Sequence, residues 1–216
     1  MTFQEIYTEI LAARFKSSQT AAIKRWVNLR EAQIWAAAEW PWKIVGPTAL
    51  TITAADNTPT LPTDLFTPLA VYDDLGNSLS YSTQREFDDL YLQQSIDNVQ
   101  NRPSAFKWNN GVLTLSAVPD ASYSFQISYL RTQSHFATGG AVTSGPMVAD
   151  SDYPLFDSSW HEILVLGGMS TGLKIENDPT WESLESEFGL MLNSMGDYYL
   201  PAVSVAGNMQ YGADTI

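Results

Sequence analysis

The sequence predicts an α+β protein: a helical bundle lobe formed by the N- and C-terminal helices, an inserted antiparallel β lobe, and an extended C-terminal arm. Three observations carry that expectation. Apolar residues recur at helical spacing before residue 46 and after residue 153, as amphipathic helices require. From Ala49 to about Leu130, short apolar runs are punctuated by Pro, Gly, Asn and Asp, the pattern of strands and turns. The last stretch keeps neither period. The expected boundaries are 1–46 and 153–199 for the helical lobe, 47–135 for the β lobe, 136–152 for a loop and 200–216 for the arm.

Thr2 and Glu5 fit a capping box, and Phe3, Ile6, Ile10 and Leu11 mark the inner side of a first helix reaching about Phe15. The second helix, within Ser18 to Ile44, is the centre of the lobe. Ser18 or Thr20 can cap it, Ile23, Trp26, Val27, Ile34 and Ala38 form its inner stripe, and Pro41 ends it. Trp26, Trp35, Trp40 and Trp42 crowd around that helix and its exit, and aromatic rings of this size can anchor a whole lobe.

The period changes after Gly46-Pro47. Ala49 to Thr53 is a strand candidate, followed by a loop closed at Leu61-Pro62. Leu69 to Tyr72 and Leu79 to Tyr81 flank Asp73 to Asn77 as a hairpin. Phe106 to Trp108 and Val112 to Ser116 flank Asn109-Asn110-Gly111 as a stronger one, because Gly tolerates positive φ. Thr83 to Gln94 reads as a short helix with Phe87, Leu90 and Tyr91 inward, and Tyr123 to Leu130 alternates as a half-buried strand. A third long helix is expected from Pro154 to about Ile175. Asp178-Pro179 opens a fourth, with Trp181, Leu184, Phe188, Met191 and Met195 inside.

Composition narrows the function classes. A hydrophobic share of 44% in 216 residues supplies a sizeable core. No cysteine is present, so disulfides and thiolate metal sites are excluded. Glu5 and Glu9 stand where a signal peptide would be basic, and no apolar run approaches the roughly 20 residues that cross a bilayer. A soluble, unexported chain with no membrane association is expected. The formal charge is −13, which opposes gripping phosphates. Residues 1–45 hold six basic against four acidic side chains, and residues 150–199 hold Lys174 against ten acidic ones. Regions of opposite sign can complement each other within one chain or between copies.

Chemistry motifs do not hold together. Gly167 to Lys174 lacks the Gly-Lys-Ser/Thr order of a phosphate loop. Asp157, Ser158 and His161 carry the side chains of a triad but share about one helical turn, with His161 expected to face a neighbour or solvent. His135 ends a strand, and two histidines make a poor zinc set. Asp73-Asp74 and Asp88-Asp89 read as solvated charges, and Asp73, Asp74 and Asn77 lack the spacing of a calcium loop. No catalytic residue, cofactor or metal is expected. Gly167, Gly168 and Gly172 do need a reason, since each costs about 1 kcal/mol relative to Ala inside a helix. They are expected to admit close packing by a Trp of the second helix or by a neighbouring subunit, so that Gly168→Leu destabilises the lobe or its assembly.

The arm, LPAVSVAGNMQYGADTI, has one charge and the scattered apolar residues Val203, Val205, Met209, Tyr211 and Ile216. Such a segment does not fold alone; a neighbouring chain, or its own β lobe, is expected to hold it. Taken in order, WVNLREAQIWAAAEWPWKI, LPTDLFTPLAVY, REFDDLY, RPSAFKWNNGVLTLSAVPDASYSFQISYLR and WHEILVLGGMSTGL resemble the head-to-tail adaptor proteins of tailed bacteriophages, podovirus type included. The resemblance extends to about Leu200 and departs at 136–152. It implies a non-enzymatic, homo-oligomeric ring, dodecameric in that family, seated under the portal in the virion neck and assembled in the host bacterial cytoplasm. Its partners would be the portal protein, docked by the C-terminal arm, and a tail or nozzle protein. DNA would pass through without specific binding. The competing expectation is a carbohydrate-binding β module with accessory helices, stacking sugars on Trp108 or Tyr123, and an enzyme comes third.

Overall fold

The computed structural model describes residues 1–89 and 100–200. They form two compact units: Met1–Pro41 with the C-terminal part from Phe156, and Trp42–Leu155.

In the first unit, α1 (Phe3–Arg14) opens with the expected capping box. The Glu5 amide donates to Thr2 Oγ1 at 3.2 Å, and the Thr2 amide donates to Glu5 Oε2 at 2.6 Å. Phe3, Ile6, Tyr7 and Ile10 are buried, while Leu11 is half-buried. For α2 (Thr20–Ala37), neither Ser18 nor Thr20 is the cap. Ser17–Gln19 makes a 3₁₀ turn, Gln19 occupies the cap position without a side-chain bond, and Thr20 Oγ1 donates back to the Ser17 carbonyl. The turn already uses the Thr20 amide, which bonds the Ser17 carbonyl and which a Ser18 cap would otherwise serve. Its stripe holds Ile23, Trp26, Val27, Ile34 and Trp35, with Arg30 and Glu31 also buried. The chain leaves the helix at Ala37 and Pro41 begins a 3₁₀ turn. The Trp40 indole donates at 2.5 Å to the Ile34 carbonyl, one of the acceptors that a helix end leaves open.

The third long helix starts later than expected. Tyr153–Pro154 is a strand, Ser158–Trp160 a 3₁₀ turn, and α4 runs over Glu162–Ile175; α3 is the helical segment 84–89 described below. The last helix, α5, covers Trp181–Tyr199. Asp178 is not its N-cap: it closes the preceding turn, accepting from the Thr180 amide at 2.9 Å and hydroxyl at 2.7 Å. Phe188 and Met195 are buried and Trp181, Leu184 and Met191 half-buried, so the inner stripe lies as expected.

In the second unit, β6 (Tyr123–Arg131) is the centre of an antiparallel sheet, flanked by β1 (Ile44–Ile52) and β2 (Leu65–Tyr72). The alternation of Tyr123 to Leu130 becomes alternating burial, with Phe125, Ile127 and Tyr129 in the core. Gly46-Pro47 lies inside β1, where the register shifts between Val45 and Thr48, so the strand starts before the expected boundary. A second sheet holds β3 (Ser80–Tyr81), β4 (Ala105–Asn109) and β5 (Val112–Leu115). Asn110 and Gly111 take φ of 48° and 80°, as the tight β4–β5 turn needs. The first hairpin is confined to one bridge, Tyr72 to Ser78, and β3 then pairs parallel with β4 instead. Parallel pairing needs a crossover, and α3, helical at 84–89 with Phe87 buried, begins it. Leu90 and Tyr91 lie outside the described residues.

The segment 136–152 is not a plain loop. Residues β7 (Ser134–Phe136), β8 (Val142–Ser144) and β9 (Tyr153–Pro154) form a third small sheet. Polar side chains close it. His135 is buried, with Nδ1 2.9 Å from the Gly145 carbonyl and Nε2 3.3 Å from Asp152 Oδ2. Asp152 in turn accepts from the Val148 and Ala149 amides at 2.8 and 2.7 Å. Apolar periodicity cannot announce a sheet built this way.

Candidate functional site

The glycines of α4 form the most specialised surface of the helical unit, and each admits a different side chain. A Cβ on Gly167 would stand 2.8 Å from Arg30 Cγ; one on Gly168, 2.6 Å from Ile10 Cδ1; one on Gly172, 2.5 Å from Trp26 Cζ3 and 2.6 Å from Phe15 Cζ. Phe15 and Trp26 meet edge to face at 5.5 Å over Gly172. Arg30, 7% exposed, crosses Gly167 to reach α5. Its Nε donates to the Gly167 carbonyl at 3.0 Å and to Thr171 Oγ1 at 2.8 Å. Its two terminal nitrogens grip Glu185 at 2.8 and 2.6 Å, the fork geometry that only a guanidinium offers. Ser170 Oγ donates to Glu185 at 2.6 Å, and the guanidinium lies 4.9 Å from the Phe188 ring centre. Burial pushes the Glu185 carboxyl up, and hydrogen bonds from Arg30 and Ser170 bring it below its ordinary value of 4.5. Sequence inspection missed this pair. The signal was available: Arg30 sits three and four residues from Val27, Trp26 and Ile34 on an otherwise apolar stripe.

The chemical candidates are occupied with structure. His161 is 2% exposed, so of the two expected settings it faces neighbours, Phe156 and Met1, and not solvent. Its Nε2 donates to the Phe156 carbonyl at 3.0 Å and its Nδ1 lies 2.7 Å from the Met1 amine, so neither nitrogen is left for a nucleophile. Burial, chiefly, holds it below its ordinary value of 6.5. Asp157 accepts from the Ser159 amide as a turn cap. Gly167 to Lys174 is helical, with the Lys174 amine 4.6 Å from the Trp181 ring centre, so no phosphate cradle exists there. Asp73 accepts from the Leu75 and Asn77 amides, and Arg102 bonds both Asp73 and Asp74. Asp88 contacts Gln84 and Lys107, and Asp89 pairs with Arg85. No group of three His, Asp or Glu suited to a metal ion occurs among the described residues. Trp108 and Tyr123 are half-buried; Tyr123 is held by Asp120 at 2.6 Å and faces Arg102, which removes it as a free stacking platform.

What the surface does offer is contact area on helices. The regions of opposite charge meet partly inside the chain, through Arg14–Asp178 and Arg30–Glu185, both at 2.6 Å. The α5 face carrying Glu187, Leu190 and Ser194 and the α2 face carrying Arg25 and Leu29 are exposed. No helix among the described residues is long and apolar enough to cross a membrane.

A family model described as the SU10 adaptor protein matches residues 1–205. The chain belongs to the SU10 adaptor protein family. That is a phage head-to-tail adaptor family, so the chain is a structural adaptor protein of the bacteriophage virion. No curated protein matches it. The SU10 adaptor match takes in Val203 and Val205; Met209, Tyr211 and Ile216 lie past its end, and all five lie outside the described residues.

Proposed function

We propose that this adaptor assembles into a ring seated under the portal in the neck of the virion, extends the DNA channel and presents a platform to the tail. The family match across residues 1–205 carries the proposal. Two features of the chain support it. The charge of −13 gives a channel wall that repels the duplex, so DNA slides instead of sticking. Both histidines are buried in contacts with the backbone, the Asp73-Asp74 pair is bound by a turn and by Arg102, and Asp88-Asp89 lies in surface contacts with Lys107 and Arg85, as a scaffold protein permits. The charge-poor arm from residue 200 is the segment proposed to dock on the portal, through main-chain pairing with Val203, Val205, Met209 and Tyr211 filling pockets. Mixing the purified chain with its cognate portal and imaging the product by electron microscopy tests the proposal. A ring stacked coaxially on the portal is the expected result. A monomer that leaves the portal bare overturns it.

A further inference from the structure

The geometry points to the two helix faces through which one copy meets the next: the exposed face of α2 around Arg25 and Leu29 docks on the exposed face of α5 around Glu187 and Leu190 of a second copy. This rests on the ring assembly proposed above and names the contact that builds it.

Ala21, Arg25, Leu29, Gln33 and Ala36 lie exposed at intervals of three or four residues on α2, so they share one face. Leu29 is 53% exposed, although the opposite side of the same helix is buried. Arg25 has no ion pair or hydrogen bond among the described residues, in contrast to Arg14 and Arg30. On α5, Ser183, Glu187, Leu190, Ser194 and Tyr198 are exposed with the same periodicity, and Leu190 is 67% exposed. Glu187 also lacks a partner among the described residues, unlike Glu185 two positions earlier.

The two faces match row by row when the helices run parallel. Arg25 meets Glu187, Leu29 meets Leu190, Gln33 meets Ser194, and the small Ala36 leaves room for Tyr198. Parallel pairing is what rotation gives. Arg30, midway along α2, meets Glu185 near the start of α5, and the C-terminal ends of both helices line one groove through Ala37, Trp40, Gly196 and Leu200, so the helices point the same way within a unit. Rotation about an axis running along them preserves that direction in the next copy. Because the faces are different, the contact is head-to-tail, the kind that closes into a ring. Opposite charges fix the register and the two leucines supply the apolar centre.

Charge reversal on the full-length chain tests the pairing, with assembly followed by native mass spectrometry, alone and on the portal. Arg25→Glu and Glu187→Arg each place like charges across the contact, and each is expected to weaken assembly about tenfold or more. Both residues are exposed, so melting temperatures stay within about a degree of the unsubstituted protein. Mixing the two variants restores assembly, with the copies alternating around the ring, because every contact again joins opposite charges. A misfolded variant cannot be rescued by mixing, so rescue separates the pairing from a folding defect. If the unsubstituted chain forms rings and neither variant weakens them, or mixing fails to restore them, the pairing is overturned and the ring stands. If the unsubstituted chain forms no ring alone or on the portal, the ring fails and the pairing with it.

Discussion

At the scale of single residues, glycine in a helix is decided by what stands opposite it. Gly172 faces two rigid aromatic rings, so Gly172→Ala forces Trp26 or Phe15 out of place and is expected to cost about 1–3 kcal/mol despite alanine's better helix propensity. Gly189, in α5, has nothing within 4 Å of a would-be Cβ, and Gly189→Ala is expected to stabilise by about 0.5–1 kcal/mol. Chemical denaturation of both variants checks the pair of signs; equal effects would show that packing on α4 is looser than the distances say. The sequence exposed the puzzle, three glycines in a helical pattern, but not its answer, since Phe15, Ile10 and Arg30 arrive from two other helices. His161 carries a second expectation. Its pKa is depressed, so the unfolded chain binds more protons just below 6.5, and stability present above that pH falls as the pH drops from 6.5 towards the depressed value. Melting at pH 7.5 and pH 5 should show a decline that His161→Gln reduces.

At the scale of elements, α2, α4 and α5 are fastened by one arginine. Breaking a buried pair from one side costs more than removing both partners, because the survivor stays unpaired. Glu185 retains 38% side-chain exposure, so Arg30→Met is expected to cost about 2–4 kcal/mol, below the range for a fully buried pair. In a double-mutant cycle with Glu185→Met, a coupling of about 1–3 kcal/mol is expected, and a coupling near zero would make the fork incidental. The same carboxylate contributes stability above its ordinary value of 4.5 that is lost as the pH falls through its depressed one. Elements whose side chains report their own period were legible in the sequence: α1, the inner stripe of α5, the β4–β5 hairpin at Asn110-Gly111, and the alternating β6. Those determined by distant partners were not. The β7–β9 sheet rests on His135 and Asp152 meeting across the fold, the parallel β3–β4 pair on a crossover, and the late start of α4 on a 3₁₀ turn capped by Asp157.

At the scale of the whole molecule, the question is which charges and which segments are left over for partners once the chain has satisfied itself. Arg14 pairs with Asp178 and Arg30 with Glu185, while Glu182, Glu187 and Asp197 of α5 have no ion-pair partner among the described residues. Among the described residues, the Thr2 box, the Arg30 fork and the Tyr199 contact with Asp157 are each made by residues no later than Tyr199. Removing residues 203–216 should therefore leave the melting temperature within about 2 °C, since a change distant from core packing moves stability little. Binding to the portal should fall sharply in the same protein, because an arm that pairs along its main chain supplies affinity no other part replaces. Surface plasmon resonance of the truncated and full chains over immobilised portal distinguishes the cases. Loss of binding with an unchanged melt assigns the arm to the portal; loss of both assigns it to the subunit's own fold. Unchanged binding would move portal attachment to the helical faces, where raising the salt, which shortens the reach of charges to about 3 Å at 1 M, should then abolish it instead.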